Sequence, residues 1–265
     1  MSDDKNIISK ILIFDIKGPM AHFRKFYTNS SSLSYLFPPR TVVAGIIAGI
    51  LGLPSERFSK DKTKIYYELL NKNNCFIGLG LKSKIRKIMQ TVNYSFTKTQ
   101  NNQILFGKPT QIPVEILLDY QFGNEITYRI YFSCSDGNEN LYNDLKNIIK
   151  DDKFNYPPYL GISEFLATTK YVNETEIIPD KTTNNIEISS VCKLKNIDLN
   201  FDKSGFQYLV EKMPTGFLND RTPLETEDYV VEVNKGTILG KPKTKYYSLA
   251  YSENGNQVKE NILFI

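Results

Sequence analysis

Pro38-Pro39-Arg40-Thr41-Val42-Val43-Ala44-Gly45-Ile46-Ile47-Ala48-Gly49-Ile50-Leu51-Gly52-Leu53-Pro54 reads as one helix with both ends marked. Proline sets φ for a first helical turn and has no N–H to lose there. Pro54 cannot continue a helix, so the helix is expected from about Arg40 to Gly52. It is apolar nearly all round, which requires cover on more than one side. Gly45 and Gly49 lie four apart on one face, and that spacing is read as close packing against a sheet. A membrane-dimer reading fails on length: the apolar run Val42–Leu53 has about 12 residues, and a span needs about 20.

Outward from this helix the periodicity changes. Ile7 to Ile16 alternates apolar and polar residues as a first strand does, and Gly18-Pro19 ends it. Lys60 to Asn71 reads as a second, more amphipathic helical piece, and Cys75 to Leu81 as a second strand. Ile112 to Tyr120 and Ile126 to Cys134 are strands, with Gly123-Asn124 as the hairpin turn between them. Gly137 to Asp151 is an amphipathic helix burying Leu141, Leu145, Ile148 and Ile149. Tyr156-Pro157-Pro158-Tyr159-Leu160-Gly161 is a stiff turn into a strand near Phe165 to Val172.

The order through residue 175 is β-α-β-β-α-β, an α+β arrangement that matches a ferredoxin-like fold. From residue 176 only strand signals follow: Ile186–Val191, Tyr208–Met213, Tyr229–Val233, Tyr246–Tyr251 and Ile262–Ile265. Two parts are therefore expected, a ferredoxin-like domain over 1–175 and a small C-terminal β subdomain over 176–265.

Charge is distributed unevenly. Residues 16 to 114 hold fifteen Lys and Arg against three acids, Glu56, Asp61 and Glu68. That segment is net +12 in a chain of net +4, which leaves the rest at net −8. Leu69 to Val114 has seven basic residues and no acid at all. Such a one-sided field points to a polyanion, with nucleic acid the usual one, against the plainer reading of a solvated basic face. Lys82 to Gln111 is too long for a tight turn and reads as a protruding hairpin or arm. Seventeen Tyr and sixteen Phe supply rings that could stack on unpaired bases, although most will be core.

Several chemistries find no support. Cys75, Cys134 and Cys192 form no CxxC pair or zinc spacing and read as reduced, mostly buried thiols. Asp119, Asp136, Glu139 and Asp144 read as turn and helix-start residues, so no metal and no cofactor is expected. No phosphate-cradling Gly-rich loop is present. Met1 to Lys10 is polar, without a signal-type apolar stretch, so a cytoplasmic protein with no membrane partner is expected. The one histidine is His22, in the loop after the first strand.

An ordered set of short stretches resembles the Cas5 family of CRISPR-associated proteins, within the RAMP superfamily. It comprises Met20-Ala21-His22-Phe23-Arg24-Lys25, Ser32-Leu33-Ser34-Tyr35, Pro38-Pro39-Arg40-Thr41 and Gly45 to Gly52. Thr110 to Glu115, Tyr128 to Phe132 and Tyr156 to Phe165 follow, with a weaker match at Met213-Pro214 and Arg221. Its form looks most like the type I-B branch. The resemblance implies a subunit of the Cascade surveillance complex that holds the 5′ handle of the CRISPR RNA (crRNA). It implies contacts with the Cascade backbone subunits and large subunit, with target DNA a further candidate. It also implies a β-hairpin thumb, which places that thumb at about 82–112.

Handle binding would combine phosphate neutralisation with base stacking. Arg24, Lys25, Tyr27, Arg40 and Thr41 flank the first helix, whose N-terminus favours an anion. In the thumb, Lys82, Lys84, Arg86, Lys87, Lys98 and Lys108 supply charge, and Lys82, Lys84 and Arg86 would share a face on a strand. Asn93, Tyr94, Phe96 and Gln111 are candidates for reading or stacking a base, though thumb packing on a neighbouring subunit accounts for Tyr94 and Phe96 as well. Tyr159 and Gly161 complete the set, Gly161 either for close backbone approach to RNA or for a turn with positive φ. One branch of the family cuts precursor RNA without metal, using His, Lys and Tyr. His22 is not where that branch's histidine is expected. The reading is a non-catalytic RNA-binding scaffold, with a metal-independent endoribonuclease as the alternative and a stand-alone RNA-recognition-type module as a third.

Overall fold

A computed structural model describes residues 9–28, 31–94, 97–100, 103–106, 110–218, 222–234 and 236–265. The main elements are β1 (Lys10–Gly18), α1 (Arg40–Leu51), β2 (Cys75–Leu81), β3 (Ile85–Tyr94), β4 (Thr110–Asp119), β5 (Ile126–Cys134), α2 (Glu139–Asp151) and β6 (Thr168–Glu176). Then come β7 (Tyr208–Pro214), β8 (Thr226–Glu232), β9 (Ile238–Pro242), β10 (Tyr246–Glu253) and β11 (Asn256–Ile262). The chain is a mixed α/β protein with mostly antiparallel strands.

The central sheet has the order β6-β1-β5-β2, antiparallel at every pairing. Its two faces are covered differently. Leu12, Phe14 and Ile16 of β1 join Phe132 of β5 in the core beneath α1 and α2, with Val43, Ile47 and Ile50 from α1 and Leu145 and Ile149 from α2. Ile11, Ile13 and Tyr131 face the other way, against Leu249 and Tyr251 of β10 and Ile262 of β11. Both faces of β1 are therefore buried, so the strand is a nearly continuous apolar run from Ile11 to Phe14 rather than the one-sided alternation expected over Ile7 to Ile16.

The second face also buries a polar network. Arg129 is 3% exposed, donates to both oxygens of Asp15 at 2.8 and 3.1 Å, and pairs with Glu253 at 2.5 Å. Glu260 accepts from Tyr131 Oη at 2.6 Å, Tyr251 Oη at 2.8 Å and Lys82 Nζ at 2.5 Å. A guanidinium in that position needs these anions, since a buried charge without a partner is very costly. The network ties the hairpin β10–β11 to the sheet and to the root of β3.

Several expectations need correction. β4 does not lie in the central sheet. It pairs with β3, and the hairpin expected at Gly123-Asn124 joins the ribbon to the sheet. Lys60–Asn71 is not one helix but a 3-10 turn at Lys62–Lys64 and a short helix at Tyr66–Leu69, divided by Ile65 in extended conformation. The glycines of α1 do not pack on the sheet. Val43, Ile47 and Ile50 take that face, so Gly45 and Gly49 point away from it. A Cβ added to Gly45 would meet nothing within 4 Å. β9 and the short strands Ile178–Asp180, Cys192–Lys193 and Ile197–Leu199 carried no clear sequence signal.

Candidate nucleic-acid interface

The excursion between β2 and β5 is a two-stranded ribbon. β3 and β4 pair in unbroken register from Ile85↔Asp119 to Tyr94↔Thr110, and Thr97–Gln100 pairs with Gln103–Phe106 beyond them. The root of the ribbon is stitched to the loop after β1. Ala21 and Leu117 exchange backbone hydrogen bonds at 3.1 and 2.9 Å. Glu115 N donates to Ser32 O at 2.9 Å, and Ser32 N to Pro113 O at 2.8 Å.

The same loop meets the Tyr-Pro-Pro-Tyr-Leu-Gly turn. His22 N donates to Leu160 O at 3.0 Å. Gly161 has φ +96°, and a Cβ there would lie 1.8 Å from His22 O. The positive-φ turn is the reason that holds, and the close approach at this glycine is to the protein's own backbone. Residues 20–28 and 31–35, the ribbon root and the turn at 156–161 form one junction.

His22 is 4% exposed, and both its ring nitrogens are engaged, Nδ1 with Glu115 O at 2.7 Å and Nε2 with Ser32 Oγ at 2.8 Å. Burial pushes its pKa below the usual value, against the opposing pull of the Glu115 carbonyl. The geometry is that of a buried structural imidazole at the root of the ribbon.

The cations singled out from the sequence divide into two groups. Several are held by the protein itself. Lys25 pairs with Glu211 at 2.5 Å, and although burial opposes its charge, that pair raises its pKa. Lys87 donates to Ser34 O at 2.9 Å and pairs with Glu115 at 3.2 Å. Lys82 is paired with Glu260, and Lys84 donates to Asn234 Oδ1 at 3.0 Å. Arg40 turns inward and donates to Leu70 O at 3.0 Å and Cys75 O at 2.8 Å, with its pKa lowered by burial. Lys82 and Lys84 precede β3, so they do not share a strand face with Arg86.

Other candidates point outward. Arg24 and Arg86 are exposed, and among the described residues they donate to backbone carbonyls, Thr28 O and Asp119 O. Tyr27 is 53% exposed, Tyr94 48% and Tyr159 45%, and Asn93 and Gln111 are exposed across the ribbon from one another. Lys98 lies on the strand Thr97–Gln100, whereas Lys108, Phe96 and Arg221 fall outside the described residues.

Beside the junction runs a groove of about 840 Å³. Thr41, Gly45, Gly49 and Gly52 of the outward face of α1 form its floor, and Phe58, Tyr66, Tyr67, Tyr156, Tyr159 and Phe217 contribute to its walls. The sequence pointed to Thr41 and Tyr159 but not to the groove. Its signal was there in glycines on the side of the helix away from the sheet, but which side faces the sheet is set by packing. Glu115 and Glu211, the internal anions, were also missed, because their cations lie far away in sequence.

The sequence from residue 11 to 229 matches the family model described as CRISPR-associated protein (Cas_Cas5). The chain belongs to the CRISPR-associated Cas5 family. No curated protein matches this Cas5 chain at a significant level. The crystal structure of a CRISPR protein from Archaeoglobus fulgidus is similar over 95% of this chain and 98% of that one, with a TM-score of 0.51 at 14% identity, and shares its fold. A chain of a CRISPR RNA-guided surveillance complex is similar over 88% and 91% of the two chains, with a TM-score of 0.47 at 11% identity. The Cas5 match includes all three segments of the junction. Among the described residues, no three His, Cys, Asp or Glu side chains are grouped as a metal ion would require. No described helix is long and apolar enough to cross a membrane.

Proposed function

We propose that this Cas5 chain is a non-catalytic subunit of a type I CRISPR effector complex, in a form nearest type I-B, that holds the 5′ handle of crRNA. In this reading the sheet with α1 and α2 is a ferredoxin-like domain, the β3–β4 ribbon is its thumb and the strands after residue 176 are an accessory β subdomain. The observation that carries it is the convergence at one junction of segments separated by more than ninety residues, each bearing exposed cations or rings. Arg24 and Tyr27 come from the loop, Arg86 from the ribbon root and Tyr159 from the turn. Arginine neutralises phosphates and stacks on bases, and tyrosine rings stack with little sequence preference, which suits a single strand. Lys25, Lys82 and Lys87 then hold the scaffold around the RNA. Backbone and large subunits of the complex are the proposed protein partners.

The alternative is a metal-independent endoribonuclease. His22 sits at the junction, but general-base chemistry needs a free nitrogen within reach of a 2′-OH, and both of its nitrogens are occupied. The deciding experiment incubates purified protein with labelled repeat RNA in EDTA and runs the samples on binding and denaturing gels. Retained, uncut RNA is expected. A discrete product that disappears in His22→Ala would make the protein a processing enzyme.

A further inference from the structure

The ribbon leaves one long edge open. Tyr120 N donates to Lys84 O at 2.7 Å, which fixes the phase of the β3–β4 ladder. In an antiparallel pair every second residue directs both backbone groups at its partner. With Lys84 facing β4, the residues Arg86, Ile88, Gln90 and Val92 face it too. Ile85, Lys87, Met89, Thr91 and Asn93 therefore direct N–H and C=O away from it. The opposite strand confirms the phase, since its outward residues Pro113, Glu115 and Leu117 are the ones that bond to Ser32 and Ala21. β4 thus has both edges satisfied near the root, whereas β3 has one. Among the described residues the outward backbone groups of β3 meet only the Gln90 side chain, at Thr91 O.

This edge lacks the usual protection. Natural edge strands are kept short, bulged, or interrupted by proline or charge. β3 spans ten residues in unbroken register, and from Ile88 to Tyr94 it has no charge and no proline. Met89 is 54% exposed and Ile88 36%. Alternating donors and acceptors at strand spacing fit another strand. They do not fit a phosphate backbone, because every outward carbonyl would repel it.

We infer that the outer edge of β3 takes up an extended segment of a protein partner as a third strand, and that this segment carries acidic side chains. Charge chooses the occupant. Besides the three lysines engaged within the protein, the ribbon sequence from Lys82 to Gln111 carries Arg86, Lys98 and Lys108 and no acid, so a second copy of this ribbon would set like charges side by side. An acidic strand would complement this excess of positive charge. Main-chain pairing supplies affinity in this mode of recognition and the side chains supply selectivity. The inference rests on the proposed function only for the partners used to test it.

The test uses the full chain co-expressed with the backbone and large subunits of its effector complex and a guide RNA. Amide hydrogen exchange is carried out on the free chain and on the complex, then quenched and read residue by residue. In the free chain the amides of Ile88 and Gln90 exchange slowly and those of Lys87, Met89 and Thr91 quickly. In the complex the second group is expected to slow by at least about tenfold, as a new hydrogen bond to each would require. Met89→Pro and Thr91→Pro remove outward donors and spare the internal ladder. Each is expected to leave RNA affinity within about twofold while weakening assembly by about tenfold, and rising salt should weaken assembly further.

Assembly with unslowed edge amides overturns the inference and leaves the RNA-binding function standing. So does slowing by RNA alone, or a dimer of the free chain that protects the same amides. Should the proline variants fail to fold, the exchange pattern of the unaltered chain decides. A chain that neither binds RNA nor assembles removes the proposed function and this inference with it.

Discussion

The root and the outer half of the β3–β4 ribbon come from one basic stretch of sequence but obey different physics. At the root, Lys82 and Lys87 are paired with Glu260 and Glu115, and Lys84 donates to Asn234. Farther out, Ile88 to Tyr94 is uncharged and largely exposed, and among the described residues no strand pairs with its outer edge. A charge count treats every lysine as available to a polyanion. Three-dimensional pairing shows that most of the root lysines are engaged within the protein, so under the proposed function the RNA-facing charge falls to residues such as Arg24 and Arg86.

The sharpest way to break this comparison is to attack the framework behind the root. Arg129→Met would leave Asp15 buried without its cation and is expected to cost about 3–5 kcal/mol in urea denaturation. A loss below about 1 kcal/mol would mean that the network does not hold β10–β11 in place.

Two glycines should then behave oppositely. Gly161→Ala places a Cβ against His22 O at positive φ and is expected to cost about 2 kcal/mol or more, with weaker RNA binding as the junction shifts. Gly45→Ala meets open space inside a helix and is expected to stabilise by up to about 1 kcal/mol. Thermal melts of the two variants, measured together, would expose an error in either assignment.

Within the ribbon, Lys82→Ala should destabilise by about 1–3 kcal/mol, since it leaves Glu260 buried without its cation, and should not change the salt dependence of RNA binding. Arg86→Ala should leave stability within about 0.5 kcal/mol and lower the slope of log affinity against log salt by about 0.7 for a lost phosphate contact. Equal effects of the two on the salt slope would erase the distinction between root and surface cations.

The smallest effect concerns pH. Burial opposes the charge of Glu260, but Lys82 and the two tyrosine hydroxyls more than compensate, so its pKa lies below the usual 4.5. Hydrogen bonding from Arg129 lowers that of Glu253 likewise. Depressed carboxylates stabilise the fold above their unfolded pKa and lose that contribution as pH falls through the folded one. Stability should therefore decline below about pH 4.5, and Glu260→Gln should flatten that limb of the denaturation profile.

Much of the fold was legible. β2 and β5 fall at the expected residues, and α1 ends at Gly52 in left-handed conformation with φ +72°, where Pro54 and the glycine placed its end. Local signals sufficed there because caps, prolines and strand periodicity act over a few residues. β4 was assigned to the sheet because a strand's pattern does not reveal its partner. For the candidate site, the loop, ribbon and turn were all identified as segments. That Arg40 turns inward and that His22 is fully hydrogen-bonded could not be read, since Leu70, Cys75 and Glu115 reach them only after folding.

The sequence by itself determined where the strands of the central sheet and its two long helices lie, that residues 16 to 114 are strongly basic, and which motifs mark a Cas5 chain. These depend on residue identity and short-range periodicity. Only the tertiary structure decided which cations are neutralised internally, which face of α1 opens into a groove, and which edge of the ribbon is left unpaired. Those properties belong to pairs of residues distant along the chain, and pairing across such distances is set by packing and register.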